Sequence, residues 1–397
     1  MSYPLVSIAE VATINPRPPK DISLDTLVSF VPMASVSEEG FLLNEEIRDY
    51  EEVKKGFTYF SKEDVLIAKI TPCFENGKSL RPFQINNDIA FGSTEFHVLR
   101  ANPEKLSPKY LFYLLWSDYF RLVGEHAMSG AAGQKRVSTD FLKSFKIPLP
   151  PLEEQCRIAS ILDKADDLRQ KRQQAIEKLD QLLQSTFIDM FGDPICNQKG
   201  WDLVSAKKVL KIQGGYAFPS SDFSTIGIPV VKIGNANKLG FNTEKFDFII
   251  PQQPEKLTQY ELRSGDLLMS LTGTVGKDDY GNITEVTDDY EMYYLNQRVA
   301  KIEVTNNLFS KNYIRYFFSQ HSIKSLITKN NRGVRQANIS NSDIYELLIP
   351  LPAKEVLLKF DLFIKSTNEL KLYFKIQLGT ANKLFKSLQN QAFSGTL

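Results

Sequence analysis

The strongest constraint on this chain is that its sequence says most things twice. Ile147-Pro-Leu-Pro150 returns as Ile349-Pro-Leu-Pro352, 202 residues later in a chain of 397. The offset holds on both sides of that anchor. Leu142 and Phe145 fall on Ile344 and Leu347; Ile161, Leu168 and Leu182 fall on Phe363, Leu370 and Leu384; Phe191 falls on Phe393. With one small gap, the stretch from Asp64-Val-Leu-Ile67 matches Asp266-Leu-Leu-Met269, and Tyr110-Leu-Phe-Tyr113 matches Tyr313-Ile-Arg-Tyr316. A matched apolar pattern over most of two halves means two copies of one unit. The length agrees, being too great for one ordinary core.

Each copy ends in a long regular stretch. After Pro150-Pro151, apolar side chains come at Ile158, Ile161, Ala165, Leu168, Ala175, Leu179 and Leu182. Steps of three and four make the 3.5-residue seam of a coiled coil. Pro151 with Glu153-Glu154 suits a helix start, because Pro lacks the N–H that is orphaned there and acids complement the dipole. Gly192-Asp-Pro194 suits a stop. The second copy runs through Phe360, Phe363, Thr367, Leu370, Phe374, Ala381, Leu384 and Leu388, and fades at Gly395. Helices of roughly 35–40 residues extend about 55 Å, and a lone surface helix of that length cannot bury its stripe. Pairing is expected, antiparallel and related by a pseudo-twofold operation, with one globular head at either end.

The heads read as mixed α/β. Apolar runs at Asp64-Val-Leu-Ile-Ala-Lys-Ile70, Ile228-Pro-Val-Val-Lys-Ile233 and Gly265-Asp-Leu-Leu-Met-Ser-Leu271 have strand length and are bounded by Gly, Pro or Asp. Tyr110–Leu122 and Tyr313–Leu326 carry Leu, Phe and Tyr at helical spacing; they are expected as core-facing helices rather than base-stacking platforms. Pro148 and Pro150 make the approach to the long helix extended but unfit for a central strand.

Chemistry-bearing motifs fail one by one. Gly77-Lys-Ser79 has Pro72 where a P-loop needs its first Gly, and Gly273-Thr-Val-Gly-Lys277 is too short. Asn15-Pro-Arg-Pro18 is not the Asn/Asp-Pro-Pro-aromatic signature of a DNA amino-methyltransferase. His97, His126 and His321 lack metal-ligand spacing, Glu52-Val-Lys54 reads as surface charge, and no GxGxxG is present. Cys73, Cys156 and Cys196 are scattered and read as free thiols of a reducing cytoplasm. No apolar run approaches the ~18 residues of a membrane span, and the start lacks the pattern of a signal peptide. Cytoplasmic location without a membrane is therefore expected. A net charge of +1 leaves nucleic acid open, since binding needs a local basic face.

Several stretches resemble the type I restriction-modification specificity-subunit family. They are Ser29-Phe-Val-Pro-Met33, Phe60-Ser-Lys-Glu-Asp-Val-Leu-Ile-Ala-Lys-Ile70 and Gly92-Ser-Thr-Glu-Phe-His-Val98 in the first half. In the second they are Gly214-Gly-Tyr-Ala-Phe218, Gly227-Ile-Pro-Val-Val-Lys-Ile233 and the segment from Ser264 to Lys277. The most specific is Ile147-Pro-Leu-Pro-Pro-Leu-Glu-Glu-Gln155; the second copy departs from it as Pro352-Ala-Lys-Glu-Val-Leu357. The resemblance implies an α/β chain with two repeated target-recognition domains (1–150 and 196–350) and two spacer helices (151–195 and 351–397) forming an antiparallel coiled coil. It implies a non-catalytic reader of double-stranded DNA, each domain taking one half of a bipartite, gapped site. Its partners would be two modification (methyltransferase) subunits and restriction/motor subunits. S-adenosylmethionine, ATP and Mg would sit on those partners, and this chain would hold no cofactor or metal.

Base reading needs Arg, Lys, Asn or Gln at base edges and further cations on phosphates. Two polar loops lie between each head's Tyr/Phe-rich helix and its Ile-Pro-Leu-Pro approach: Ser129–Arg136 and Lys329–Gln336. They offer Gln134, Lys135 and Arg136, and Arg332, Arg335 and Gln336. A second candidate set is Lys232, Asn235, Asn237 and Lys238. Two other functions suit the same pattern: a specificity subunit whose partner chain fuses nuclease and methyltransferase, and a spacer scaffold that binds no DNA.

Overall fold

The computed structural model describes residues 3–131, 133–238, 240–274, 279–329 and 336–397. Two compact units emerge. One comprises Met1–Gln173 with Lys375–Leu397, the other Gln174–Phe374. Each is thus a head together with half of each long helix.

In the first unit, Leu5–Ser7 pairs antiparallel with Lys146–Pro148, with Val6 opposite Ile147. Pro148 is tolerated because this sheet has two strands only. A four-stranded antiparallel sheet follows, in the order Ala12–Ile14, Phe96–Ala101, Val65–Ala68, Ser79–Leu80. A second sheet runs Glu46–Asp49, Leu27–Val31, Ile89–Gly92, Thr58–Ser61, its central pair parallel. Helices Pro108–Leu115, Asp118–His126 and Thr139–Ser144 complete the head. Val65–Ala68 is apolar throughout because it is covered on both faces. Val65 and Ile67 pack with the helices, while Leu66 and Ala68 pack with Val31, Phe60 and Phe96.

The second unit repeats this order with strands added. Asp202–Ser205 pairs with Leu348–Leu351. One sheet runs Leu210–Gly214, Val299–Val304, Leu267–Ser270, Ile283–Glu285. The other runs Phe223–Ser224, Asp247–Ile249, Ile228–Val231, Tyr293–Leu295, Glu261–Leu262, again with a parallel central pair. Phe223–Ser224 is an added edge strand, and Ala236–Asn237 pairs with Gly240–Phe241 in a further two-stranded sheet. Helices Lys311–Ser319, His321–Thr328 and Asn341–Tyr345 take the places of the three in the first unit. Most of their aromatic residues are core, with Tyr110, Tyr113, Tyr313 and Phe317 among the most buried side chains, whereas Tyr119 is exposed.

The repeated Asp explains part of the sequence match. Asp64 accepts the backbone N–H of Ser61 (2.7 Å) and both arms of Arg100 (2.7 Å each). Asp266 accepts the N–H of Arg263 (2.9 Å) and the Lys301 ammonium (2.7 Å). Each carboxylate closes the turn into the buried strand and neutralises a cation on the neighbouring strand.

The long helices are Leu152–Phe191 and Lys354–Ser394, of 40 and 41 residues. The first stops at Gly192, whose φ of 80° is easy only for glycine, with its N–H on the Ile188 carbonyl (2.8 Å). Within the first unit the two helical segments run antiparallel. Arg157 donates to the Leu397 carbonyl (3.0 Å), and twelve residues further along Arg169 lies over the ring of Phe385 (5.3 Å). In the second unit Phe191 meets Phe360 (5.1 Å) and Asp180 pairs with Lys371, again antiparallel.

The expected seam needs correcting at alternate positions. Ile158, Leu162, Ala165, Ile176 and Leu183 are buried, while Leu168 and Leu182 are 39% and 44% exposed. Likewise Phe360, Ile364, Thr367, Ala381 and Phe385 are buried, and Leu370 and Leu384 are exposed. The spacing still alternates between three and four. The face is rotated because each segment packs on a head as well as a helix, and because a polar residue occupies part of the seam. Arg169 stacks on Trp116 (5.4 Å) and pairs with Asp166 (2.7 Å), burying a cation where an apolar pattern is sought.

Among the described residues, no helix is long and apolar enough to cross a membrane. Cys73, Cys156 and Cys196 are free thiols.

Candidate nucleic-acid interface

The polar loop of the first unit is anchored at its C-terminal end. Lys69 and Thr71 lie on the chain leaving the buried strand Val65–Ala68. The N–H of Thr71 bonds to the Lys135 carbonyl (3.0 Å) and the N–H of Val137 to the Lys69 carbonyl (2.9 Å), placing Arg136 opposite Ile70. Ser129 and Arg136 exchange backbone bonds of 3.1 and 2.8 Å, closing the loop on itself. Gly130 and Gly133 have φ of 128° and 79°; the turn alone requires glycine at both.

Gln134 and Lys135 are exposed. Arg136 is engaged. Its Nε and Nη2 grip the Glu95 carboxylate (3.0 and 2.8 Å), and its Nη1 bonds to the Gln134 carbonyl (3.2 Å). The Arg136 guanidinium holds the Glu95 carboxyl below the usual carboxylate range, and Glu95 raises Arg136 in turn. Beneath them His97 is 4% exposed. Its Nε2 donates to the Val137 carbonyl (2.9 Å), and the Asn15 amide donates to its Nδ1 (3.3 Å). Burial lowers its pKa. Neither Glu95 nor His97 could be assigned to the loop by pattern, since the strand bringing them there is distant in sequence.

In the second unit, Arg332 and Arg335 lie outside the described residues. Gln336 begins the strand Gln336–Asn338, which pairs with Thr272–Thr274. Its register corrects the expected equivalence of the two loops. Thr272 stands opposite Asn338 as Ile70 stands opposite Arg136. The N–H of Ile339 bonds to the Leu271 carbonyl (2.8 Å), as Val137 does to Lys69. Arg136 therefore corresponds to Asn338, and Gln134 to Gln336: the eight-residue stretches are out of step by two. Carrying the repeat's own offset of 202 through the loop gives the right pairing. The N–H of Leu271 bonds to the Arg298 carbonyl (3.0 Å), as that of Lys69 does to Glu95 (2.9 Å). Arg298 thus takes the place of Glu95. Sequence reading missed both Arg298 and Asn338.

The other candidate set divides. Asn235 is 5% exposed and its amide is spent on the turn: Oδ1 accepts the Lys232 N–H (2.9 Å), and Nδ2 donates to the Asn242 and Lys245 carbonyls (3.0 and 2.9 Å). It shapes the loop and offers nothing outward, which corrects its place among the base contacts. Lys232 pairs with Asp247 (2.5 Å) and lies over Phe223 (3.7 Å). Asn237 donates to the Gly234 carbonyl (3.2 Å), and Lys238 is exposed.

These features define a duplicated sheet-and-helix unit that presents donors from the end of a buried strand. No group of three or more His, Cys, Asp or Glu among the described residues is placed to hold a metal ion. The family model for the type I restriction modification DNA specificity domain matches twice, over residues 3–178 and 198–371, and the chain belongs to that family.

Among curated relatives, the EcoAI specificity subunit of Escherichia coli is 38% identical over 64% of this chain and 42% of its own length. The EcoEI specificity subunit of the same organism is 36% identical over 45% of this chain and 31% of its own. The matches thus span less than half of those relatives. The MjaVIII specificity subunit of Methanocaldococcus jannaschii is 27% identical over 70% of this chain and 68% of its own. Two solved structures share the fold. One, from work on complex assembly and conformational transition of the type I R-M system, aligns over 100% of this chain and 98% of its own (TM-score 0.55, 20% identity). The other is the type I restriction-modification S subunit of M. genitalium, aligned over 98% and 96% (TM-score 0.51, 14% identity).

Proposed function

We propose that this chain is the non-catalytic DNA-specificity subunit of a type I restriction-modification enzyme. Each unit reads one half of a bipartite, gapped double-stranded site, and the two long helices form an antiparallel coiled coil that holds the units in pseudo-twofold relation. Two methyltransferase subunits supply S-adenosylmethionine chemistry, and restriction/motor subunits supply ATP- and Mg-dependent cleavage. The complex works in the cytoplasm.

The observation that carries this reading is the duplication itself. Two heads of one topology each return the chain beside the end of the same buried strand, at Arg136–Val137 and at Asn338–Ile339, and Lys135 and Arg136 of the first are matched by Ala337 and Asn338 in the second. Two related readers with different side chains suit a site with two different halves. Gln134, Lys135 and Arg136, and Arg332, Arg335 and Gln336, are the proposed contacts; Lys232, Asn237 and Lys238 are secondary.

The test is reconstitution with a type I methyltransferase subunit, followed by methylome sequencing of treated genomic DNA. The expected result is methylation at one gapped, two-part motif, and none from the chain alone. Methyl transfer by the purified chain, or a complex that modifies DNA without any bipartite preference, overturns the proposal.

A further inference from the structure

The two units differ in side chains at a place where their backbone hydrogen bonds match. In each, the chain leaving the buried strand (Lys69–Thr71, Leu271–Thr272) lies between a residue at the head of the next strand and a residue at the end of the polar loop. The flanking residues are Glu95 and Arg136 in the first unit, Arg298 and Asn338 in the second, fixed by matching backbone bonds. Two strand spacings separate the flanking backbones, roughly 10 Å.

In the first unit an ion pair closes that span. Glu95 and Arg136 are joined at 2.8 and 3.0 Å, and the arginine's third nitrogen is turned back to its own loop. The pair is electrically neutral, and most of its donor capacity is consumed. In the second unit, both Arg298 and Asn338 are exposed, and among the described residues neither side chain has a hydrogen-bonding or ionic partner. A guanidinium and a carboxamide thus face solvent across the same gap. Asn338 is held on a ladder strand between the buried Ala337 and Ile339 (0% and 4% exposed), so its side chain stands on the outer face. A carboxamide on rigid backbone matches the acceptor–donor edge of adenine (N7 and N6) in the major groove. A guanidinium alongside it matches the two acceptors of guanine or a phosphate.

We infer that Arg298 and Asn338 form a specificity-determining pair of the second unit, with Asn338 reading an adenine and Arg298 contacting the adjoining purine or its phosphate. The inference rests on the proposed DNA-reading function and names residues for it. It also gives the units unequal roles: the first begins with its guanidinium already satisfied by Glu95, the second with its guanidinium available.

The experiment uses the complex with its methyltransferase and compares Asn338→Ala, Arg298→Ala and Arg298→Lys with the original chain. Both positions are exposed, so folding is checked simply by unchanged melting temperature and unchanged assembly. Asn338→Ala should relax base identity at one position of one half-motif, lowering discrimination about 5- to 100-fold there, with the other half-motif unaltered. Arg298→Ala should weaken the same half-site, and Arg298→Lys should restore binding without restoring base preference if the contact is to a phosphate. An original complex lacking any bipartite motif overturns the function and this inference together. A normal motif from the original complex, with the same motif and rate from Asn338→Ala and Arg298→Ala, overturns the inference alone. Uniform weakening on all sequences by Asn338→Ala, with only a shallower salt dependence, overturns base reading at that position.

Discussion

The two units share one backbone plan and seat the long helices with opposite chemistry. Where the first unit has Gln155, the second has Leu357; where it has Gln389, the second has Phe187; where it has Asp166, the second has Asn368. Gln155 is fully buried and ties the helix start to its head. Its amide donates to the Lys105 and Pro150 carbonyls (2.9 and 2.8 Å) and accepts the Ser107 N–H (2.8 Å). Gln389 donates to the Tyr113 carbonyl (2.9 Å). Asp166, 1% exposed, is flanked by Arg81 (2.6 Å) and Arg169 (2.7 Å). The second unit instead fills the space with rings. Phe360 lies 5.7, 5.1 and 5.4 Å from Phe187, Phe191 and Tyr316. A repeated fold constrains where chain and helix meet; it leaves open whether hydrogen bonds or apolar packing hold the joint.

The largest expected effect falls on the aromatic joint. Phe360→Ala removes a fully buried ring from three ring neighbours, and large cavities of this kind cost about 3–5 kcal/mol. Denaturant unfolding followed by amide exchange should show the loss concentrated in the second unit. Equal loss of protection in both units would show that the joints do not report their own heads.

The polar joint should be weaker per residue. Gln155→Leu installs the side-chain type of the second unit, but strands the Ser107 N–H and two carbonyls without partners. Each buried orphan costs roughly 1–3 kcal/mol, partly offset by the apolar side chain, so a loss of about 2 kcal/mol is expected, read by the same unfolding measurement. No loss of stability would mean the first unit can adopt the second's chemistry, and the contrast would be ornamental.

The same contrast sets what was legible in the sequence. The match from Ile147 to Ile349 gave the duplication, the strand runs and both helices, because those features are periodic or repeated. Arg169 in the seam was illegible: its burial depends on Trp116, Phe385, Asp166 and Glu39, which come together only in the fold. Sheet order was equally hidden, since the parallel pair Leu27–Val31 and Ile89–Gly92 joins segments far apart in sequence. At the site, Asn235 belonged to the composition expected of a DNA reader, yet its amide is consumed by its own turn. Glu95 gave no signal because a lone acid does not announce its arginine, and Asn338 was missed through a two-residue slip in matching the loops.

The smallest predicted effect concerns pH and separates the units at the reading strand. His97 sits under the Glu95–Arg136 pair, whereas the matching ladder position in the second unit is Ala300; Ile67 faces the one and Met269 the other. Neutral His97 fits its surroundings: Nε2–H donates to Val137, and Nδ1 accepts from the Asn15 amide, whose Oδ1 is already committed to the Val98 N–H (3.0 Å). A proton on Nδ1 would face an N–H donor, and turning the amide would sacrifice the Val98 bond. Burial is the leading cause of its lowered pKa, with Lys69 adding to it and the Val137 bond and Glu95 opposing. The unfolded chain protonates this histidine near pH 6.5, while the folded chain resists until lower pH. Below about pH 6.5 the unfolded state therefore binds more protons, and stability falls as pH falls towards the folded pKa. His126 and His321 are both exposed. Amide exchange, corrected for intrinsic rate, should show protection of Lys69, Val98 and Val137 dropping between pH 7.5 and 5.5, with Leu271 and Ile339 unaffected. His97→Gln should flatten that slope. If the slope survives the substitution, the titrating group lies elsewhere and the units are alike in this respect.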